Sequence, residues 1–463
     1  MSLQAADAAL YDQDGRRISG SGEQHSGQVR MAYRLAHSHV DRLLHVHGIG
    51  WHYWDGTRWA EDVRGHAERA VLEVLAGALA ESVGDKQLRA DVGRCETFAG
   101  IAGVLSIAAA LVEFAATVDD MDADPNLLNT ASGVLELDTG RLREHDPRDR
   151  LSKVCRAAFD PNADTTVWER FVTQILPDDA ERAYLQRVIG QSLYGRVTEH
   201  VFPVLTGTGA NGKSTLYGAL CAALGDYATV IDPALLMTRE HGGTPGPELM
   251  ELLGARLVVG SETQEGRKLD EAVMKRLCGG DALTARRLYR EPVTWTPSHT
   301  IVYVTNALPK VKGGDPAVWR RIVVVPFGVV VPAEHRDPRL PERLLGHLDA
   351  VLLWAVRGWQ DYQAGGMRPP ASVQRATDDY RTESDAVARF VAEACFTAPS
   401  ASATTRALFA AWQSWATADG AETLTERAFA KELDRLGFEA RRTKIGAVRA
   451  GLSPYANEGG DGW

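Results

Sequence analysis

Gly207, Thr208, Gly209, Ala210, Asn211, Gly212, Lys213, Ser214 and Thr215 fill the pattern G-x-x-x-x-G-K-[ST] without a gap. An apolar run, Val201 to Thr206, precedes the pattern, and a helical stretch begins at Leu216. In a strand–loop–helix frame these residue types make a phosphate cradle. Glycines let backbone N–H groups turn inward, and the helix start adds its free amides and positive dipole end. Lys213 would then reach the β- and γ-phosphates and Ser214 would hold Mg²⁺, so ATP and Mg²⁺ are the expected ligands.

A nucleotide hydrolase needs more than a cradle. Arg256-Leu-Val-Val-Gly-Ser-Glu262 reads as a short apolar strand ending in an acid, which would bring the Glu262 carboxylate beside Mg²⁺ and the attacking water. Thr300 to Asn306 reads as a buried strand with Asn at its tip, placed to hydrogen-bond the γ-phosphate or the water. Arg320 and Arg321 stand at the start of another apolar strand that runs to Phe327. A guanidinium fork suits the charge spreading over a transferring phosphoryl group, and in ring ATPases it arrives from a neighbouring subunit.

These residues need a large scaffold, and the 463-residue chain is long enough for two to four domains. Its hydrophobic fraction of 44% and charged fraction of 24% are ordinary for a globular protein, and no apolar run nears the ~20 residues that span a bilayer. Five scattered cysteines form no C-x-x-C pair, which fits a reducing cytoplasm. The net charge of −10 argues against wholesale coating of nucleic acid but leaves room for local basic patches. Two such patches exist: Arg267 to Arg290 and Arg427 to Arg449 each hold seven basic residues against three acids.

Along the chain, residues 1–30 are polar and read as a flexible tail. Residues 31–165 read as an α+β accessory domain. It has a hairpin from Ile49 to Trp59 around an Asp55-Gly56 turn, helices over Gly65–Val83 and Cys95–Val118, and a second β element over Asn129–Gly140. Residues 166–375 read as the nucleotide-binding domain, opening with helical Thr166–Tyr194 and closing with helical Leu340–Tyr362 before the breaker Gly365 to Pro370. Residues 385–455 read as three helices followed by a basic strand pair, the outline of a winged helix. Two other clusters have simpler readings: Asp119 to Asp124 as a solvated loop, and the histidines from His37 to His52 as alternation on a surface rather than a metal site.

Loop, strand-end Glu, strand-end Asn and Arg pair follow one another here in the order that resembles superfamily 3 helicases. The likeness is specifically to the C-terminal helicase portion of phage and plasmid primases and of poxvirus-type primase-helicases. Gly207 to Thr215, Ser261-Glu262, Leu277 to Tyr289, Asn306 and Arg320-Arg321 carry the resemblance. Trp54 to Trp59 and Asn129 to Gly140 are similar to the family's accessory domain. The likeness runs from about residue 30 to 380. It implies an α/β, AAA+-like P-loop core with a parallel sheet. It also implies a β-hairpin whose arms are Leu283–Leu288 and Val293–Trp295 and whose basic tip enters a central pore. Lys275, Arg286, Arg287 and Arg290 would then contact phosphates and Tyr289 would stack on a base.

The chain departs from animal-virus relatives in having one acid, Glu262, where they often have two. Counting back from Phe327 favours Arg321 as the finger, with Arg320 the alternative. The resemblance implies an ATP-dependent DNA helicase, a homo-oligomeric ring of six, acting on single-stranded DNA in phage or mobile-element replication in the cytoplasm. It would meet its primase or polymerase as a separate partner and no membrane. The alternative is an ATP-dependent replication initiator that binds duplex origin DNA through the C-terminal module without processive unwinding. A small-molecule P-loop kinase is a third class, disfavoured by the Asn306 strand and the Arg pair.

Overall fold

The computed structural model describes residues 22–238, 246–261, 266–311, 315–421, 424–443 and 446–455. The front unit contains α1 (Gly27–His39), β1 (Leu43–Val46), β2 (Gly50–Trp54), β3 (Trp59–Glu61), α2 (His66–Glu81), α3 (Lys86–Cys95), α4 (Phe98–Ala108) and the short β4 (Ala115–Ala116). Its strands pair in the order β3-β2-β1-β4. The expected Asp55 turn is present: Asp55 Oδ1 accepts from the Thr57 N–H at 2.8 Å and the Arg58 N–H at 2.9 Å. Met31 and Leu35, one turn apart on α1, pack with Val71, Leu75, Val92 and Val104 into a core of their own. The helix expected over Cys95–Val118 ends at Ala108, and α3, capped by Asp85, was not foreseen. The Asp119–Asp124 segment is a largely exposed loop, as expected, and it is also ordered by side-chain contacts: Asp120 accepts from the Thr117 N–H at 2.7 Å and Asp122 from the Ser152 N–H at 2.9 Å.

A second antiparallel sheet follows: β5 (Leu127–Thr130), β6 (Gly133–Glu136) and β7 (Arg141–Arg143). Its apolar residues Leu128, Leu135 and Leu137 join the hydrophobic cluster of the next unit, not that of the first. The indole N–H of Trp359 donates to the Leu137 carbonyl at 3.0 Å, and buried Asn129 donates to the carbonyls of Thr57 and Lys153, both at 2.9 Å. Leu128, Leu135 and Leu137 thus tie this sheet to the next unit, and Leu44, Val46, Ile49, Trp59 and Ala116 of the front unit likewise share a cluster with the central strands.

The central unit opens with α5 (Thr166–Ile175) and α6 (Asp179–Ser192). The single helix expected there is split at Pro177, after which Asp178 Oδ1 caps α6 through the Ala180 and Glu181 N–H groups. Then come β8 (Phe202–Thr206), α7 (Lys213–Leu224), β9 (Ala228–Ile231), β10 (Leu257–Ser261), α8 (Glu271–Leu277), β11 (Leu283–Ala285), β12 (Val293–Trp295), β13 (Thr300–Thr305), α9 (Pro316–Trp319) and β14 (Ile322–Pro326). Helices α10 (Leu340–Leu345), α11 (Leu348–Gly365) and α12 (Ala371–Ser384) close the unit. Five strands form an all-parallel sheet in the order β14-β8-β13-β10-β9. All six residues of β13 are buried, the continuous apolar run of a strand covered on both faces.

The last unit runs α13 (Ala386–Ala394), β15 (Cys395–Thr404), α14 (Thr405–Asp419), α15 (Glu426–Arg435), β16 (Ala440–Thr443) and β17 (Gly446–Pro454). Phe390, Trp412, Phe429 and Leu433 form its separate core, and its antiparallel sheet has the order β15-β17-β16. The three helices stand where expected; of the strand pair expected within residues 437–445 only β16 lies there, β17 follows it, and ten-residue β15 was not foreseen.

Candidate nucleotide and nucleic-acid sites

Strand β8 ends at Thr206, and the glycine-rich loop turns back over the carboxyl edge of the sheet into α7. Two glycines are required by close approach. A Cβ on Gly207 would lie 2.3 Å from the Phe327 carbonyl oxygen, and one on Gly212 would lie 2.4 Å from Ile175 Cγ2 at a φ of +81°. The first turn of α7 receives no side-chain cap, so its N–H groups remain for an anion. Lys213 is buried, and its Nζ donates to the Gly207 carbonyl at 2.7 Å and to Asn211 Oδ1 and Asn306 Oδ1, each at 3.1 Å. Ser214 is exposed beside it. A cleft of about 250 Å³ is lined by Gly209 to Thr215, Tyr217, Thr305 and Asn306.

Register explains why Asn306 meets the loop. Thr305 is level with Thr206 on the neighbouring strand, so the residues after both emerge side by side at the edge where α/β sheets bind ligands. Ser261, the last residue of β10, is level with Val304, and its Oγ lies 3.4 Å from Tyr217 Oη. Glu262 falls outside the described residues. Sequence reasoning missed a role for Asn211, whose Nδ2 donates to the Thr208 carbonyl at 2.5 Å and the Phe327 carbonyl at 3.4 Å, tying the loop to the end of β14.

Arg320 and Arg321 precede β14, whose first residue is level with Phe202 at the start of β8. They therefore lie at the edge opposite their own phosphate loop, roughly 16 Å away for five extended residues. Their side chains differ. Arg321 is 8% exposed and donates to the Ala317 carbonyl at 2.6 Å, whereas Arg320 is exposed. The Arg321 guanidinium is directed into its own chain, unlike the outward reach expected of a finger.

The hairpin forms from β11 and β12, with Leu283 opposite Trp295 and Ala285 opposite Val293. Its first arm stops at Ala285, not Leu288, leaving residues 286–292 as the tip. There Tyr289 is 96% exposed at a φ of +60°, a conformation uncommon for a side chain of its size, and Arg286 and Arg290 are exposed with it. Two other expected phosphate contacts are already engaged. Lys275 Nζ pairs with Asp315 Oδ2 at 2.8 Å, a hydrogen bond that holds the Asp315 carboxyl below its usual range.

Arg287 makes a two-pronged pair with Glu61 of β3, its Nη2 lying 2.9 Å from Glu61 Oε2. Burial opposes ionisation of Glu61, but the Arg287 hydrogen bonds and charge outweigh it and hold the carboxyl low. The hairpin root is also packed on the front unit: Leu283, Ala285, Val293 and Trp295 share a cluster with Val46, Ile49 and Trp59. Glu61 is a second residue that sequence reasoning missed, since nothing local links positions 226 residues apart.

In the C-terminal unit the basic stretch divides in the same way. Arg449 is buried, pairing with Asp434 and donating to the Ala430 carbonyl at 3.0 Å, and Arg435 pairs with Glu432 and Asp385. Arg427 and Lys431 on α15 and Arg441 and Arg442 on β16 remain exposed. Among the described residues no group of three or more His, Cys, Asp or Glu is placed to hold a metal, and His52 instead shares a hydrogen bond of 3.0 Å with the Gly50 carbonyl. All five cysteines are unpaired, and no helix of the described residues is long and apolar enough to cross a membrane.

Three families match in sequence: one described as D5 N terminal like over residues 32–177, one of unknown function over 205–321, and one described as poxvirus D5 protein-like over 382–458. The L207/L206 protein of Acanthamoeba polyphaga mimivirus, named a helicase, is 29% identical over 59% of this chain and 31% of its own length. The C962R protein of African swine fever virus (strain Badajoz 1971 Vero-adapted), named a primase, is 24% identical over 65% of this chain and 34% of its own. The chain thus spans about a third of the length of these relatives. A solved apo structure of the NrS-1 C-terminal region aligns at 12% identity and a TM-score of 0.39, covering 64% of this chain and 77% of that one. D5-type segments thus stand on both sides of a loop-bearing parallel-sheet core, and the chain is similar to proteins of large DNA viruses that are named helicase or primase.

Proposed function

We propose that the chain is an ATP-dependent DNA helicase that works as a ring, a hexamer, on single-stranded DNA in the replication of a phage or other mobile element. One observation carries the reading: Lys213 and Asn306 meet at one edge of an AAA+-like sheet while exposed Arg320 stands at the opposite edge. No single copy can bring these groups onto one triphosphate. In a ring the loop of one copy faces the arginine of the next, and each sheet serves two sites.

Within such a site Lys213 exchanges its internal oxygen acceptors for the β- and γ-phosphates. Asn306, released by Lys213, is free to hydrogen-bond the γ-phosphate or the attacking water. Arg320 of the adjacent copy supplies the fork that meets charge developing on the transferring phosphoryl group. Ser214 and Glu262 are the residues that would hold Mg²⁺, whose chemistry is to neutralise charge on the bridging phosphate oxygens. Arg290, Arg286 and Tyr289 at the hairpin tip are the proposed grip on one strand.

The helix and strand order of the last unit, α-β-α-α-β-β, supports reading it as a winged helix, with the exposed cations of α15 and β16 toward duplex DNA. That feature favours the second reading, an initiator that uses ATP for assembly. Unwinding of a forked duplex separates the two. Wild type should release the strand with ATP, and Lys213→Ala should lose both hydrolysis and release. Arg290→Ala should lose most of the stimulation of hydrolysis by DNA. Wild type that hydrolyses ATP and binds the fork yet releases no strand would establish the initiator instead.

A further inference from the structure

A cavity of about 710 Å³ lies between the front unit and the root of the hairpin. It is remote from the phosphate loop, none of whose residues line it. Its size falls within the range of sites that take a nucleotide-sized ligand or larger. Cations predominate on its walls, and several already have partners. Arg58 pairs with Asp226, Arg287 with Glu61, and Arg256 is buried against the Leu193 and Leu127 carbonyls.

Three other cations line it. Arg64, from the loop after β3, and Arg196, from the loop after α6, are exposed, and Lys153 is half-buried. The six Lys and Arg residues of the lining outnumber its three acids, of which Glu61 is paired with Arg287. A separate observation points the same way. Trp295, on the wall and only 4% exposed, has an indole N–H without a hydrogen-bond partner among the described residues. A buried donor left unmade costs about 1–3 kcal/mol, so an acceptor that reached this closed-off nitrogen through a small shift of the wall would relieve it.

We propose that this cavity is a second binding site for single-stranded polynucleotide, in which Arg64, Arg196 and Lys153 contact phosphates and the Trp295 N–H donates to a phosphate or base oxygen. It rests on the reading of the chain as a DNA-acting enzyme and adds a path for the strand that no part of that reading supplied. The strand gripped by Tyr289 and Arg290 at the hairpin tip would continue past the hairpin root, where β11 and β12 meet the front sheet. A thermodynamic consequence follows from counterion release, since each phosphate contact on a single strand contributes about 0.7 to the slope of log affinity against log salt.

The test is a salt titration of a fluorescein-labelled oligothymidylate with wild type, Arg64→Ala/Arg196→Ala and Arg290→Ala, each checked by its thermal unfolding midpoint. The double variant should bind with a slope shallower by about 1.4, and roughly tenfold to thirtyfold more weakly at 0.1 M salt. A wild-type slope and affinity in the double variant, with Arg290→Ala weakened, would overturn the cavity site and leave the hairpin reading standing. Wild type that does not bind the oligonucleotide would overturn both.

Discussion

Gly212 sits at a φ of +81° with Ile175 Cγ2 only 2.4 Å from where a Cβ would stand, so the residue type is fixed by backbone conformation and by close approach together. Gly212→Ala is predicted to lower stability by about 1–3 kcal/mol and to weaken nucleotide binding, read as a lower urea midpoint at unchanged m and a raised Kd for an ATP analogue. An unchanged midpoint would mean that the helix start can shift away from α5. At this scale the loop was legible because its pattern is contiguous and backbone groups do most of the work. Asn306 was legible for a related reason, since strand ends in a parallel sheet converge on one edge. The choice between Arg320 and Arg321 was not: adjacent residues leaving a short helix point in different directions, and only the packing of Arg321 against α9 separates them.

Among the elements, the hairpin is the one whose setting changes the account. Its arms were readable from Leu283 and Val293 to Trp295, but its seat on the front sheet depends on contacts that no local pattern encodes. Because β11 and β12 are cored together with Val46, Ile49 and Trp59, a stroke confined to the hairpin would have to act through residues 286–292. The Glu61–Arg287 pair anchors the start of that tip. Both side chains are over a third exposed, so the pair is worth at most about 1 kcal/mol of stability. Glu61→Ala is therefore expected to leave the unfolding midpoint nearly unchanged while raising, several-fold, the DNA concentration needed for half-maximal stimulation of ATP hydrolysis. The charge-swapped Glu61→Arg/Arg287→Glu protein should recover part of it. Equal DNA dependence in Glu61→Ala would remove the pair from any role in positioning the tip. Strand β15 escaped sequence reading because Ala398-Pro-Ser-Ala-Ser402 lacks β-branched residues, and its pairing with β17 shifts register across that segment.

For the whole molecule, the division into a front unit, a loop-bearing core and a C-terminal module was legible from patterning and breakers. The packing across residue 165 was not legible, because β5 to β7 alternate like an independent sheet while burying their apolar face against α5, α6 and α11. The proposed function makes each of two opposite edges of one sheet half of a site, so its central claim is one about neighbours: a triphosphate is cleaved between two copies. Mixing inactive subunits tests this most directly. Lys213→Ala and Arg320→Ala proteins should each be without ATPase activity alone. Their equimolar mixture, once co-assembled, should regain about a quarter of the wild-type rate, because one interface in four joins an intact loop to an intact arginine. A co-assembled mixture that remains inactive, or Arg320→Ala protein that hydrolyses ATP at the wild-type rate alone, would contradict the shared site.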